Sequence, residues 1–161
     1  MKRLVVSIAQ QHLILLDESG CVEKTYSIST ATSGAGEQKG SEQTPRGLHK
    51  IRAKIGSDYP KNTVFVARRA TGERYTSLLS EQQPNRDWIL TRILWLSGLE
   101  PGKNRFGNVD SMARYIYIHG VPDEADLSIR RSKGCINMTN DDIVDLFDRV
   151  EINDIVQIVE D

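Results

Sequence analysis

The sequence predicts a mainly β chain with one short helix near its C-terminal end. Two observations carry that expectation. Short runs of aliphatic and β-branched residues recur along the chain between Gly, Pro, Asn and Ser, which is the punctuation of strands and turns. Helical spacing shows after Met138, where Ile143, Val144, Phe147 and Val150 fall on one face.

Leu4–Ile8 and Leu13–Leu16 read as two short strands, Glu18-Ser19-Gly20 as a turn, and Val22–Ile28 as a third strand of an antiparallel meander. Thr32–Thr44 is a polar, glycine-rich loop; such loops are usually solvated connectors, but long ones near a sheet edge can also shape a substrate cleft. Pro45-Arg46-Gly47 leads into Leu48–Ile55, whose apolar and basic residues alternate as in a half-exposed strand. Val64–Ala67 is a further strand after Pro60 and Asn62. Thr71–Asp87 is polar and takes no assignment.

Trp88–Leu96 is apolar on both faces apart from Thr91 and Arg92, which predicts a buried strand, with a short helix as the alternative. Its two tryptophans are expected in the core. Gly98–Ser111 is a second long loop, broken by Pro101, Gly102 and Gly107. Ala113–Ile118 reads as a central strand that delivers His119. Thr139 or Asn140 caps the helix, with Asp141 and Asp142 near its positive end. Asp154–Val159 is the last strand.

A chain of 161 residues and 18.1 kDa is long enough for one domain with its own core. A net charge of −1 and a pI near 6.3 argue against nucleic-acid binding through bulk charge. The longest apolar stretches, such as Ile93-Leu94-Trp95-Leu96, are far too short to cross a bilayer. Lys2 and Arg3 open the chain, but the apolar run breaks at Gln10-Gln11-His12, which suits a first β-hairpin better than a signal peptide. The expected location is cytoplasmic, with periplasmic as the alternative. Cys21 and Cys135 make no disulfide framework, and with His12, His49 and His119 they lack zinc-type spacing. No metal or cofactor is expected.

The chemistry concentrates in Ile118–Met138. His119-Gly120 follows an apolar run, and the segment closes on Ser132-Lys133-Gly134-Cys135-Ile136-Asn137. Singly, His119 reads as a packed histidine and Cys135 as a small buried hydrophobe. Together they suggest a thiol with a base, because a neighbouring imidazole can draw off the proton that keeps cysteine a poor nucleophile. Gly120 and Gly134 permit close backbone approach or unusual dihedrals beside both groups. Backbone N–H groups around Gly134 and Cys135 could cradle an oxyanion. Arg130, Arg131 and Lys133 favour a thiolate and an anionic substrate, or are ordinary surface charges.

These residues resemble the L,D-transpeptidase catalytic domain, the YkuD family. The resemblance rests on His119-Gly120 and the spaced Ser132-Lys133-Gly134-Cys135-Ile136-Asn137. It extends to Gln11–Leu15, Thr44–Gly47 and Arg114–Gly120, and so covers nearly the whole chain. It implies a mainly β sandwich of two packed sheets holding a cleft under a loop. It implies further that Cys135 is the nucleophile, His119 its base, and the Gly120 carbonyl the group that orients the imidazole. Lys133 stands where the family often has His or Arg, and Asn137 is a familiar variant of a common Arg.

By the same resemblance the substrate is a peptidoglycan stem tetrapeptide or a muropeptide carrying one. The thiolate attacks the carbonyl of the L-centre before a terminal D-alanine, which leaves a Cys135 thioester. Unexported members of similar size act as L,D-carboxypeptidases on recycled tetrapeptides, so water is the expected acceptor. An exported L,D-transpeptidase that makes crosslinks, or a silent domain that binds peptidoglycan peptides, are the rival readings. Arg114, Ser132, Lys133, Gly134 and Asn137 are the candidate substrate-binding residues.

Overall fold

In the computed structural model, which describes residues 1–161, the meander is formed by β1 (Arg3–Ser7), β2 (His12–Leu16) and β3 (Val22–Ser27). Then come β4 (Gly47–Ile55), β5 (Thr63–Val66), β6 (Arg69–Arg74), helix α1 (Ser77–Gln82) and β7 (Ile89–Gly98). The chain ends with β8 (Tyr117–Gly120), β9 (Ile136–Met138), helix α2 (Asn140–Arg149) and β10 (Ile155–Val159). The strands follow the order β3-β2-β1-β10-β4-β7-β5-β6, with β8 paired to β7 and β9 to β8.

The mainly β architecture is as expected. The two sheets, however, are one: every strand belongs to a single mixed, ten-stranded sheet that branches at β7. β7 can branch because it is long enough to pair with β4 along one stretch, with β5 at Ile89 and Leu90, and with β8 from Leu90 to Trp95. A core of 20 buried residues unites Leu4, Val6, Leu13 and Ile158 with Ile118, Ile136, Met138 and the α2 residues Ile143, Leu146 and Phe147. Burial of that apolar area is the main force holding the branch and α2 against the meander.

β10 lies between β1 and β4. It pairs in parallel with β1, Arg3 opposite Ile155 and Val6 opposite Ile158, and antiparallel with β4. Thr139 caps α2 by accepting from the Asp142 N–H at 3.1 Å. The unassigned Thr71–Asp87 segment holds the end of β6 and all of α1, whose residues are all at least partly exposed and so leave no periodicity to read.

The expected strand over Ala113–Ile118 begins only at Tyr117. Asp110 is the cause. Its carboxylate accepts from Phe106 N at 2.7 Å and Ala113 N at 2.9 Å, and its carbonyl accepts from Arg114 N. These local bonds hold the backbone in turns through Tyr115, whose φ is +58°. Behind this segment, buried His49 donates from Nδ1 to the Gly47 carbonyl and accepts at Nε2 from Ser111 Oγ at 2.8 Å.

A polar knot fixes the sheet where it branches. Asn140, buried at the start of α2, accepts from Thr91 Oγ1 and donates to the Val121 carbonyl, Asp123 and Asn62. Thr91 takes φ +76° at the bulge in β7. Gly120 is required here for space rather than for dihedral freedom. A Cβ would lie 2.6 Å from Asn140 Oδ1 and 2.8 Å from the Leu90 carbonyl.

Two stability predictions follow from these contacts. Burial holds the His49 pKa at about 4 rather than 6.5, so between those values the unfolded chain binds a proton that the native one refuses. Stability is therefore complete above pH 6.5 and falls towards pH 4, by up to about 3 kcal/mol. Urea unfolding across that range reads the slope, and His49→Gln should flatten it. The β5–β6 hairpin turns on Ala67 and Arg68, both left-handed at φ +48° and +64°. Ala67→Gly should raise stability by about 1 kcal/mol, measured by thermal unfolding, because glycine carries no penalty at that φ.

Candidate active site

The reactive pair is brought together by the parallel pairing of β8 and β9, Ile118 opposite Ile136 and His119 opposite Asn137. That register sets Cys135 beside Tyr117, whose N–H lies 3.4 Å from Sγ. Side chains alternate along a strand, so Tyr117 and His119 share one face of β8. Both line a cavity of about 450 Å³ with Cys135 and Asn137. β9 separates Cys135 from α2, so the helix starts at the far end of the strand and does not abut the thiol.

A tight turn presents the sulfur. Ser132 Oγ donates to the Cys135 carbonyl at 2.5 Å and accepts from Gly134 N at 3.2 Å. Thr44 Oγ1 donates to the Gly134 carbonyl at 3.0 Å, and Gly134 takes φ +132°. The Gly134 N–H is thus occupied by Ser132, which leaves Cys135 as the backbone donor of the expected pair. The loop before Thr44 forms the wall behind the turn. Arg114 ties it there, donating to the carbonyls of Gln43 at 2.7 Å and Glu37 at 3.2 Å.

Burial dominates the electrostatics. It pushes the Cys135 thiol up to about 12, with Asp87 adding to the rise while the Tyr117 N–H and Arg114 oppose it. Burial likewise lowers the pKa of His119, against the pull of the Gly120 carbonyl and Asp87. The resting pair is therefore a thiol and a neutral imidazole. The thiol donates to the Tyr115 carbonyl at 3.4 Å. His119 Nδ1 lies 2.7 Å from the Gly120 carbonyl. A carbonyl only accepts, so Nδ1 carries the proton and Nε2 is left as the basic nitrogen. Such a site can take a proton from the thiol once a substrate brings the two together.

The expected site residues separate into two groups. Cys135, His119, Asn137, Arg114, Ser132 and Lys133 all line the cavity, whereas Gly120 and Gly134 act through their backbones. Asn137 Oδ1 is buried there without a hydrogen-bond partner. Arg130 turns away, donating to the Ile8 carbonyl. The cavity also takes in Arg68, Asp87 and Tyr117, which sequence reasoning passed over. Arg68 lies just before the polar segment that shows no pattern and Asp87 closes it, and only the folding of the sheet brings them into the cavity with Cys135.

The sequence pattern of the L,D-transpeptidase catalytic domain matches residues 1–158, and the chain belongs to that family, the YkuD family. A comparison with curated proteins finds no match. Among solved structures the chain is similar to Bd1075 of Bdellovibrio bacteriovorus, at a TM-score of 0.61 and 16% identity over 99% of this chain and 48% of that one. It is similar to L,D-transpeptidase 3 of Mycobacterium tuberculosis, solved with a faropenem-derived adduct, at 0.59 and 17% over 99% and 60%. It also resembles the Enterococcus faecium L,D-transpeptidase, at 0.57 and 16% over 98% and 49%. At these identities the likeness is one of fold, and the chain spans about half to three-fifths of the length of each.

The electrostatics predict the behaviour of the free thiol. In a Cys21→Ser background, alkylation of Cys135 by iodoacetamide should keep accelerating beyond pH 9. Arg114→Gln, which removes a cation that favours the thiolate, should slow it at pH 8. Mass-resolved labelling kinetics check both; a plateau near pH 7 would contradict the raised thiol pKa.

Proposed function

We propose that the protein is a cysteine-dependent L,D-carboxypeptidase that removes the terminal D-alanine from peptidoglycan stem tetrapeptides. One observation carries the reading: Cys135 and His119 line the same cavity, with the Gly120 carbonyl holding the imidazole so that Nε2 is free. In this reaction His119 Nε2 takes the thiol proton and Sγ bonds to the carbonyl carbon of the L-centre. The C–N bond then breaks, and the amine of D-alanine leaves with the proton from His119. Water attacks the thioester and gives His119 a proton, the C–S bond breaks, and Sγ regains that proton. A tripeptide is released.

Substrate contacts follow from the residues on the cavity wall. Asn137 Oδ1, buried and unpaired, accepts from a substrate N–H, since such an acceptor is costly to leave unmade. Lys133 supplies charge at the mouth. Ser132 and Arg114 hold the turn and the wall, and Arg114 also favours the thiolate. A cavity of about 450 Å³ is of ordinary size for a ligand site and has room for the end of one stem peptide with a water beside it.

Incubation with a muropeptide tetrapeptide should release free D-alanine and tripeptide, and no release is expected from Cys135→Ala or His119→Ala. Adding an amine acceptor should not divert the product. Predominant crosslinked product would replace hydrolysis by transpeptidation. Release by Cys135→Ala would refute the mechanism outright. A carbapenem should add its mass to the wild type at Cys135; no adduct, with unchanged peptide binding by Cys135→Ala, would favour a silent binding domain.

A further inference from the structure

The tip of the β5–β6 hairpin is built against its own backbone preference. A two-residue hairpin turn with both φ values positive normally uses Asn-Gly, yet here the tip is Ala67-Arg68, at φ +48° and +64°. The left-handed region costs an ordinary residue about 1–2 kcal/mol, and strain of this kind is retained where it aims a group. Both tip residues line the cavity that holds Cys135.

Arg68 is fixed on three sides. Its guanidinium lies 4.4 Å from the Trp95 ring centroid and 5.1 Å from that of Tyr115. One Nη donates to Tyr117 Oη at 3.0 Å. Tyr117 is the residue whose N–H meets the Cys135 sulfur, so the clamp and the nucleophile share a support. Arg68 takes part in none of the protein's ion pairs. With five N–H donors in a planar fork and one engaged by Tyr117, most of its donor capacity is open. The other cations of the cavity differ. Arg114 is tied to backbone carbonyls, and Lys133 is exposed, a flexible point charge rather than a fork.

We propose that Arg68 is the receptor for the free terminal carboxylate of the peptide substrate, and so a specificity-determining residue that makes this site read chain ends. The inference rests on the peptidase reading above. A pre-oriented fork binds a carboxylate in two parallel bonds, and the aromatic clamp lowers the entropy lost on doing so. Holding the leaving residue by its carboxylate places the bond before it over Sγ. An uncharged end leaves the half-buried cation without a counter-ion.

The test crosses enzyme and substrate. The wild type should cleave the tetrapeptide acid with kcat/KM roughly tenfold to a hundredfold above its C-terminal carboxamide, the difference lying mainly in KM. Arg68→Gln should lose about that factor on the acid and almost nothing on the amide, while Arg68→Lys should recover part of it. Equal losses on both substrates would reduce Arg68 to a structural role, and equal cleavage of acid and amide by the wild type would overturn the proposal. Calorimetric titration of Cys135→Ala with each peptide reads the same preference without turnover. Discrimination that disappears in Cys135→Ala/Arg68→Gln upholds the receptor even if hydrolysis fails, whereas binding without discrimination refutes it even if hydrolysis is confirmed.

Discussion

The parallel pairing of β8 with β9 is the constraint on which the rest of the structure depends. Two very short strands, supported on one side only by β7, set His119 against Asn137 and bring Cys135 to Tyr117. Parallel neighbours cannot be joined by a tight turn, because the chain must return to its starting end before pairing. The connection from Val121 to Gly134 is that return path, which is why the two reactive residues stand so far apart in sequence. It is held down by its backbone, with Ser29 and Thr32 hydroxyls donating to the carbonyls of Ile129 and Arg130 and Arg131 N donating to Thr30.

Burial gives the pair a quiet resting state. The same desolvation that raises the thiol pKa lowers that of the imidazole, so the ion pair is disfavoured from both sides. Local groups act against this, with Arg114 and the Tyr117 N–H on the sulfur and the Gly120 carbonyl on the ring. Such a balance suits a thiol that gives up its proton only when a ligand occupies the cavity.

Much of this arrangement was legible in the sequence. The meander, β4, the long β7, β10 and α2 all show in side-chain period, because each buries one face or both. The catalytic candidates were legible through neighbours as much as through themselves: Gly120 and Gly134 flank them and are required, one for space and the other for its φ. What could not be read depends on contacts distant in sequence or on local bonds that oppose the pattern. Ala113–Ile116 reads like a strand, but Asp110 captures the Ala113 and Arg114 amides, and Met112 and Ser111 take the next two. Thr91 interrupts the apolar run of β7 because Asn140 and Asn62 meet it from elsewhere. Arg68 lies between the Val64–Ala67 run and the unpatterned segment, and its place beside Cys135 exists only once β5 has paired with β7.

The position of β10 bears on how the protein comes to be folded. The last strand is the piece that joins the first hairpin to everything else, wedged between β1 and β4. Until it arrives, the meander and the β4–β7–β8 portion are two half-sheets with bare inner edges. As the chain emerges in synthesis, the sheet cannot close before β10 is free to move. Pairing between strands as distant in sequence as β1 and β10 is slow to find, and unpaired edges invite wrong partners meanwhile. Exposure to misassembly is thus concentrated in the interval before β10 arrives, a vulnerability set by topology rather than by the strength of any contact.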